Sequence, residues 1–258
     1  MSDEPLLEVQ SLTVRYGERA ACNDVSFSLW PGEVLAVVGE SGSGKTTLLN
    51  AICGRVAASA GAVRFRAADG RVRDLRTLPE AELRRLVRAE IGFVHQNPRD
   101  GLRLGVSAGA NTGEPIMAAG ARYYGDIRRT AAFWLERVEI DPARMDELPA
   151  MFSGGMQQRL QIARALVTKP RLVLMDEPTG GLDVSVQAKL LDLLRRLTAE
   201  LGLAAVVVTH DLGVARLLAH RILVMRNGRV IESGITDQVL DDPQHAYTQL
   251  LVSSVLVT

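Results

Sequence analysis

The sequence predicts an α/β fold: a mostly parallel sheet with helices on both faces, interrupted by a helical insertion. Three observations predict it. The apolar runs at 34–38, 172–175 and 204–208 are continuous rather than alternating, as in parallel strands covered on both faces. Helical spacing follows the first two runs, at 47–52 and in the stripe Val186, Leu190, Leu193, Leu194, Leu197 and Leu201. From Asn97 to about Pro149 glycine and alanine become common and helix-like pieces follow one another, 127–138 among them.

The N-terminal stretch 6–14 mixes apolar and polar residues in strand-like fashion, and 25–29 alternates strictly, as a half-buried strand does. Tyr16 falls on the loop between them, beside Arg15 and Gly17. It is either an ordinary half-buried tyrosine or, in a nucleotide-binding protein, a stacking partner for adenine. Pro31-Gly32 makes a turn into the strand at 34–38. That strand enters Gly39-Glu40-Ser41-Gly42-Ser43-Gly44-Lys45-Thr46, a Gly-x-x-x-x-Gly-Lys-[Ser/Thr] loop between strand and helix. Its glycines let backbone N–H groups curl around a polyphosphate, and the helix after it turns partial positive charge toward the same anion. Lys45 then reaches the β- and γ-phosphates and the Thr46 hydroxyl ligates Mg²⁺.

Further on, 61–65 reads as a strand, 79–88 as a charged surface helix and 91–96 as a short buried strand with a polar end. Gln96 is either a strand-end residue without a role or one that reaches a metal and an attacking water. Ser153-Gly154-Gly155-Met156-Gln157-Gln158 opens another helix. Ser153 fits its N-cap and the two glycines leave backbone N–H groups free, so this is a second anion-binding helix start. Two such starts in one chain suggest sites that face each other across a dimer. The run at 172–177 ends in two carboxylates: Asp176 to hold Mg²⁺ largely through water, and Glu177 to take a proton from the attacking water or orient it. A tight loop, Gly180-Gly181-Leu182-Asp183, leads to the leucine-striped helix, which reads as core. His210 follows the strand at 204–209 and is either structural or a hydrogen-bond donor to a γ-phosphate. Asn227-Gly228 signals a hairpin, and a short helical tail runs from Tyr247 to about Leu256. Phosphates bind at the carboxyl ends of parallel strands, and Gly39, Gln96, Asp176 and His210 all fall there.

Composition bounds the function. With 258 residues and 47% hydrophobic content the chain forms one large domain or a domain with an insertion. Thirty basic residues balance thirty acidic ones, which argues against a non-specific nucleic-acid or membrane-surface binder. Cys22 and Cys53 are too far apart for a metal motif and read as the reduced thiols of a cytoplasmic protein. The start Met1-Ser2-Asp3-Glu4-Pro5 lacks the regions of a signal peptide, and no apolar run approaches a membrane span.

Tyr16, the loop from Gly39 to Thr46, Gln96, the 153–158 segment, the 172–177 run, Leu182-Asp183 and His210 together resemble the nucleotide-binding subunit of an ATP-binding cassette (ABC) system, in the right order along essentially the whole chain. The resemblance implies a P-loop NTPase fold of ABC type: a mostly parallel core sheet, an N-terminal antiparallel β subdomain and an inserted helical signature subdomain. It implies one nucleotide-binding domain over 1–258, with 6–96 and 168–258 as core and β subdomain and about 97–167 as helical subdomain. Tyr16 stacks on adenine in that reading, and Gly39, Ser41, Gly42, Ser43, Gly44, Lys45, Thr46 and Thr47 hold the phosphates. Gln96 senses metal and water, and Thr46, Gln96 and Asp176 serve Mg²⁺. Ser153, Gly154, Gly155 and Gln158 grip ATP on the opposite subunit, with Asp183 as the cross-dimer loop residue. Glu177 is the catalytic carboxylate and His210 the switch histidine, acting with Lys45 and Gln96. The implied assembly is a homodimer sandwiching two ATP molecules. Phe152 departs from the pattern, standing where the signature has leucine.

The segment His95-Gln96-Asn97-Pro98-Arg99-Asp100-Gly101-Leu102-Arg103, residues 106–109 and 120–128, and the tail at 248–256 closely resemble the cassette subunit of the bacterial carbon–phosphorus lyase system, which breaks down phosphonates. That likeness implies docking on a soluble lyase core complex with a radical iron–sulfur subunit, and a possible second cassette subunit. Arg99, Asp100, Leu102 and Arg103 are the expected docking surface. Oligopeptide-importer ATPases share the type of tail seen at Pro243-Gln244-His245-Ala246-Tyr247-Thr248, so the motor of an oligopeptide, dipeptide or nickel importer is the alternative. Cassette proteins that act on nucleic acid or ribosomes usually carry two cassettes and basic linkers; this chain has one cassette and no charge excess.

Overall fold

The structure is a computed structural model that describes residues 4–255. Strands β1 (Leu7–Tyr16) and β2 (Arg19–Leu29) form a hairpin around Gly17, which takes φ +60°. Strand β3 (Val34–Val38) leads into helix α1 (Lys45–Ile52). Strands β4 (Ala60–Arg66) and β5 (Val72–Asp74) complete a four-stranded antiparallel sheet in the order β2-β1-β4-β5. Helix α2 (Glu80–Glu90) buries none of its residues and precedes β6 (Ile91–Val94). Helices α3 (Pro98–Gly101), α4 (Ala108–Ala118), α5 (Tyr124–Arg137) and α6 (Gly154–Leu166) form the insertion. The rest alternates: β7 (Leu172–Asp176), α7 (Val184–Leu201), β8 (Ala204–Thr209), α8 (Leu212–Leu218), then the hairpin β9 (Arg221–Arg226) and β10 (Arg229–Ile235), α9 (Thr236–Asp241) and α10 (Ala246–Val255). The expected end of the tail helix, Leu256, lies outside the described residues.

The second sheet runs β10-β9-β3-β8-β7-β6, parallel throughout except for β10. Successive side chains of a strand point to opposite faces, and the apolar runs use both. Leu172 and Leu174 of β7, with Val206 and Val208 of β8, join α1 and the antiparallel sheet in one core. Val173 and Met175, with Ala205 and Val207, join α5, α6 and α7 in another. Burial on both faces is why no alternation shows in the sequence.

Two expectations change. Tyr16 is not on a loop; it is the last residue of β1, opposite Arg19, because the chain reverses immediately at Gly17. Leu102 is not an exposed docking residue. It is 7% exposed and packs in the core beneath α6, because the chain leaves the one-turn α3 in extended conformation and turns this side chain inward.

Candidate functional site

The loop after β3 is a backbone cradle that only glycine permits. Gly39, Gly42 and Gly44 take φ of +149°, +80° and +105°. A Cβ on Gly39 would lie 2.1 Å from the Met225 carbonyl oxygen, and one on Gly44 2.0 Å from that of Ala21. Helix α1 starts at Gly44 with no side-chain cap, leaving its first N–H groups for an anion. The buried Ser43 Oγ has no hydrogen-bond partner. Lys45 is 4% exposed, and its Nζ donates to the carbonyls of Gly39 (2.7 Å) and Glu40 (2.9 Å). Burial lowers its pKa, and the carboxylates of Glu177, Asp176 and Glu40 oppose that shift. Cys22 lies against the loop with its Sγ 3.6 Å from the Gly44 carbonyl, and burial pushes its pKa up to about 12, so it stays a thiol.

The other candidates converge from separate strand ends. Thr46 Oγ1 donates to Asp176 Oδ1 at 3.0 Å. Burial raises the Asp176 pKa; the Thr46 hydrogen bond lowers it, Glu177 raises it further and Lys45 pulls it back. Glu177, one residue past β7, adopts φ +41°, a conformation that costs a non-glycine residue energy and marks a position the surroundings enforce. Its carboxylate accepts from Gln96 Nε2 at 2.9 Å and lies 3.1 Å from His210 Nδ1. Gln96, Glu177 and His210 line a cavity of about 640 Å³ with Tyr16, Ser41, Gly42, Gly44, Lys45, Thr46 and Thr47, while Asp176 is buried off its wall behind Thr46. Gly39 and Ser43 are buried beneath the loop rather than on the cavity wall. Thr46 and Asp176 offer hard oxygen donors with the Gln96 amide across from them, a set that suits Mg²⁺ keeping part of its water shell. No group of three or more His, Cys, Asp or Glu placed for a metal occurs among the described residues.

Sequence reasoning missed Arg19 and Ala21, which also line the cavity. Arg19 donates to the Gly42 carbonyl at 3.3 Å and faces Tyr16 across the β1–β2 hairpin. The signal was a glycine turn right after Tyr16, which places residue 19 beside residue 16.

The second helix start lies apart. Ser153 caps α6, its Oγ accepting from Met156 N at 3.4 Å, and Ser153 and Gly154 are exposed. None of Ser153, Gly154, Gly155 and Asp183 lines the cavity. A Cβ on Gly155 would meet Val186 Cγ1 at 2.5 Å, and one on Gly154 Leu182 Cδ2 at 3.8 Å, so this start packs on the loop and helix that follow Glu177. Phe152 is buried with the Arg144 guanidinium 4.7 Å above its ring, so the departure from leucine stays inside the core. Gln158 is 2% exposed and its Nε2 donates to the His95 carbonyl at 3.4 Å, its side chain pointing from α6 back under the segment carrying Gln96.

A glycine-rich phosphate cradle after β3, with a carboxylate held at positive φ at the end of β7, is the arrangement of a nucleotide-hydrolysing site. The ABC transporter family matches residues 22–180, and the chain belongs to it as an ABC-type ATPase. It is 65% identical over 254 residues, 98% of this chain and 99% of the relative, to the putative phosphonates utilization ATP-binding protein PhnK of Escherichia coli (strain K12). It is 38% identical over 266 residues to a putative peptide import ATP-binding protein of Brucella melitensis biotype 1, covering 99% of this chain and 79% of that one. Among solved structures, the ABC cassette MJ0796, dimeric in a post-hydrolysis state with ADP and Pi, superposes with TM-score 0.78 at 33% identity, over 89% of this chain and 98% of that one. CbiO1 of Clostridium perfringens, part of the transporter complex CbiONQ, superposes with TM-score 0.80 at 28% identity, over 93% and 92%.

Proposed function

We propose that two copies of this chain bind and hydrolyse two ATP molecules at their interface, and that the dimer serves the carbon–phosphorus lyase core complex of phosphonate breakdown. The observation that carries the partner is the 65% identity, over both full lengths, to a phosphonates utilization ATP-binding protein, against 38% for a peptide import protein. The proposed domain is a single cassette, with 6–96 and 168–258 as core and β subdomain and about 97–167 as helical subdomain.

The chemistry follows from the contacts. Tyr16 stacks on adenine and Arg19 stands beside it. The loop from Gly39 to Thr46, with Thr47, wraps the phosphates, and the Lys45 ammonium leaves the Gly39 and Glu40 carbonyls for the β- and γ-phosphates. Thr46, Asp176 and Gln96 would hold Mg²⁺, which supplies charge neutralisation at the phosphates when bound. Glu177 takes the proton of the attacking water or orients it, with Gln96 and His210 fixing its two oxygens. His210 turns to the γ-phosphate as that group arrives. Ser153, Gly154 and Gly155 of one copy close on the phosphates held by the other, with Asp183 between the sites. No helix among the described residues is long and apolar enough to cross a membrane. We place the protein in the cytoplasm, with the radical iron–sulfur subunit of the lyase core as its docking partner and a second cassette subunit as a further one.

The docking surface is the groove between β6 and the insertion, a cavity of about 530 Å³ lined by Arg55, Phe93, His95, Asp100, Glu114 and Arg164 among others. Arg99 and Arg103 stand exposed at this segment, and Arg103 pairs with Glu114 at 3.3 Å. Arg99→Glu with Arg103→Glu spares the buried Leu102 and should leave basal ATP hydrolysis within about twofold, since rim charges govern association. The pair should abolish co-purification with the lyase core and growth on a phosphonate as sole phosphorus source. Normal growth with retained core binding rejects this surface; loss of peptide uptake instead favours the importer reading.

A further inference from the structure

The last helix reaches back to the phosphate loop. Tyr247, on the first turn of α10, is 8% exposed, and its hydroxyl accepts a hydrogen bond at 3.0 Å from the backbone N–H of Glu40. Glu40 is the second residue of the glycine loop, and its carbonyl is one of the two that hold Lys45 Nζ. A single residue of the loop is therefore fixed at its nitrogen by the C-terminal helix and at its oxygen by the phosphate-binding lysine.

The tyrosine is itself held. The Arg226 guanidinium lies 4.6 Å from its ring centroid, and the ring packs in the cluster of Ala36, Val38 and Val224 under the core sheet. The start of α10 is tied to β10, because the N–H groups of Gln244 and His245 donate to the Glu232 carboxylate at 2.8 and 3.0 Å. The anchor extends through β9 as well: the Gly228 N–H, in the turn after Arg226, donates to the Ser43 carbonyl at 3.0 Å. Loop N–H groups that turn inward can grip phosphate. This one is taken by a buried phenol, which sets the plane of its peptide.

We propose that Tyr247 is a positioning residue of the nucleotide site. Its hydroxyl fixes the Gly39–Glu40 peptide so that the loop is shaped for phosphate before nucleotide arrives, and it makes the C-terminal helix a working part of the ATP site. The inference rests on reading the glycine loop as that site. Tyr247→Phe removes only the hydroxyl and leaves the ring for Arg226 and the apolar cluster. Its KM for ATP and its Kd for ADP should both rise about two- to tenfold, the span of one net hydrogen bond. Its kcat should stay within about twofold, because Glu177, Gln96 and His210 are untouched. A Tyr247→Phe protein with the parent's KM overturns the inference whatever its melting temperature, since the hydroxyl is then only a brace of the fold. Should that variant not fold, Arg226→Gln frees the ring and should raise KM in the same sense by a smaller factor; an unchanged KM there also counts against the role. Lys45→Ala, run in parallel, separates the two levels. If it too keeps full nucleotide affinity, the reading of the loop has failed, whereas its loss beside a silent Tyr247→Phe rejects only the tyrosine's part.

Discussion

The two helix starts of this protein use the same residue types for different physical ends. At the start of α1, glycines are required because the backbone turns through positive φ and lies against the carbonyls of Met225 and Ala21. At the start of α6, Gly155 is required by a side chain, Val186, while a Cβ on Gly154 would touch only Leu182 at ordinary contact distance. The first start is surrounded by its own chemistry, with Lys45, Thr46, Gln96, Glu177 and His210 on one cavity. The second shows Ser153 and Gly154 to solvent, off that cavity. An exposed helix start separated from the chemistry it resembles is suited to completing a site on another molecule, as proposed above; the MJ0796 cassette, to which this chain is similar, is dimeric in its ADP- and Pi-bound state.

Removing chemistry from the first region should have the largest effect. Glu177→Gln keeps the shape of the site and loses the carboxylate base, so kcat should fall about a hundred- to ten-thousand-fold while ATP still binds. The variant should accumulate as an ATP-bound dimer, read by light scattering. Near-normal turnover removes Glu177 from the chemistry, and an absence of ATP-dependent association removes the sandwich.

Mixing two dead variants tests the comparison itself. Gly155→Asp is a poor lesion because any side chain there strikes Val186. Gly154→Asp has room, and it sets a carboxylate against phosphate charge in a closed interface. Lys45→Ala mixed with Gly154→Asp places both lesions in one composite site of the mixed dimer and leaves the other intact. Random pairing of independent sites returns about a quarter of parental activity. No recovery, with mixed dimers demonstrated, means either that each chain completes its own site or that the two sites fire only together; the parent mixed with a Lys45→Ala, Gly154→Asp double variant distinguishes these, keeping about half of parental activity in the first case and about a quarter in the second.

The sequence was legible where function is contiguous or sits at the end of an apolar strand. The glycine loop is eight consecutive residues, and Gln96, Asp176, Glu177 and His210 each follow a buried run that places them on one edge. Arg19 was missed because its place depends on hairpin register, which a one-residue slip would reverse. Leu102 was misjudged because the stretch after Gln96 forms one short turn and then extended chain, with no periodicity to separate inside from outside. The burial of Gln158 was not legible either, since the motif's order does not say which face of α6 packs inward. The Tyr247–Glu40 contact joins residues far apart in the chain, and no spacing rule reaches it.

The smallest expected effect lies at the joint between the two regions. The His95 N–H donates to Gln161 Oε1 at 2.7 Å and its carbonyl accepts from Gln161 Nε2 at 3.0 Å, so the strand that positions Gln96 is fastened to α6, the helix begun by Ser153. The ring sits beside Phe93 with Arg55 Nη1 3.2 Å from Nε2, a contact that requires the neutral imidazole. Burial, and then the Arg55 charge, lower the His95 pKa from 6.5 to about 4, with Asp100 acting the other way. Between those values the unfolded chain binds the proton and the folded chain does not, so stability is fully present above 6.5 and is lost as pH falls toward 4. Asp69 and Asp146, whose pKa values Arg73 and Arg128 hold below 3.8, titrate beneath this window; Glu139 and Glu147, held down by Arg196 and Arg144, and Glu232 add only at its lower edge, and Asp176, raised by burial, acts in the opposite sense. The nucleotide-free protein should therefore melt progressively earlier on acidification through that window, by a few degrees per kcal/mol lost. His95→Gln, which carries no proton to gain, should flatten the slope, and Arg55→Gln should make it shallower by removing the second cause of the shift. If His95→Gln melts with the parent's pH dependence, the imidazole at this joint is not where acid acts.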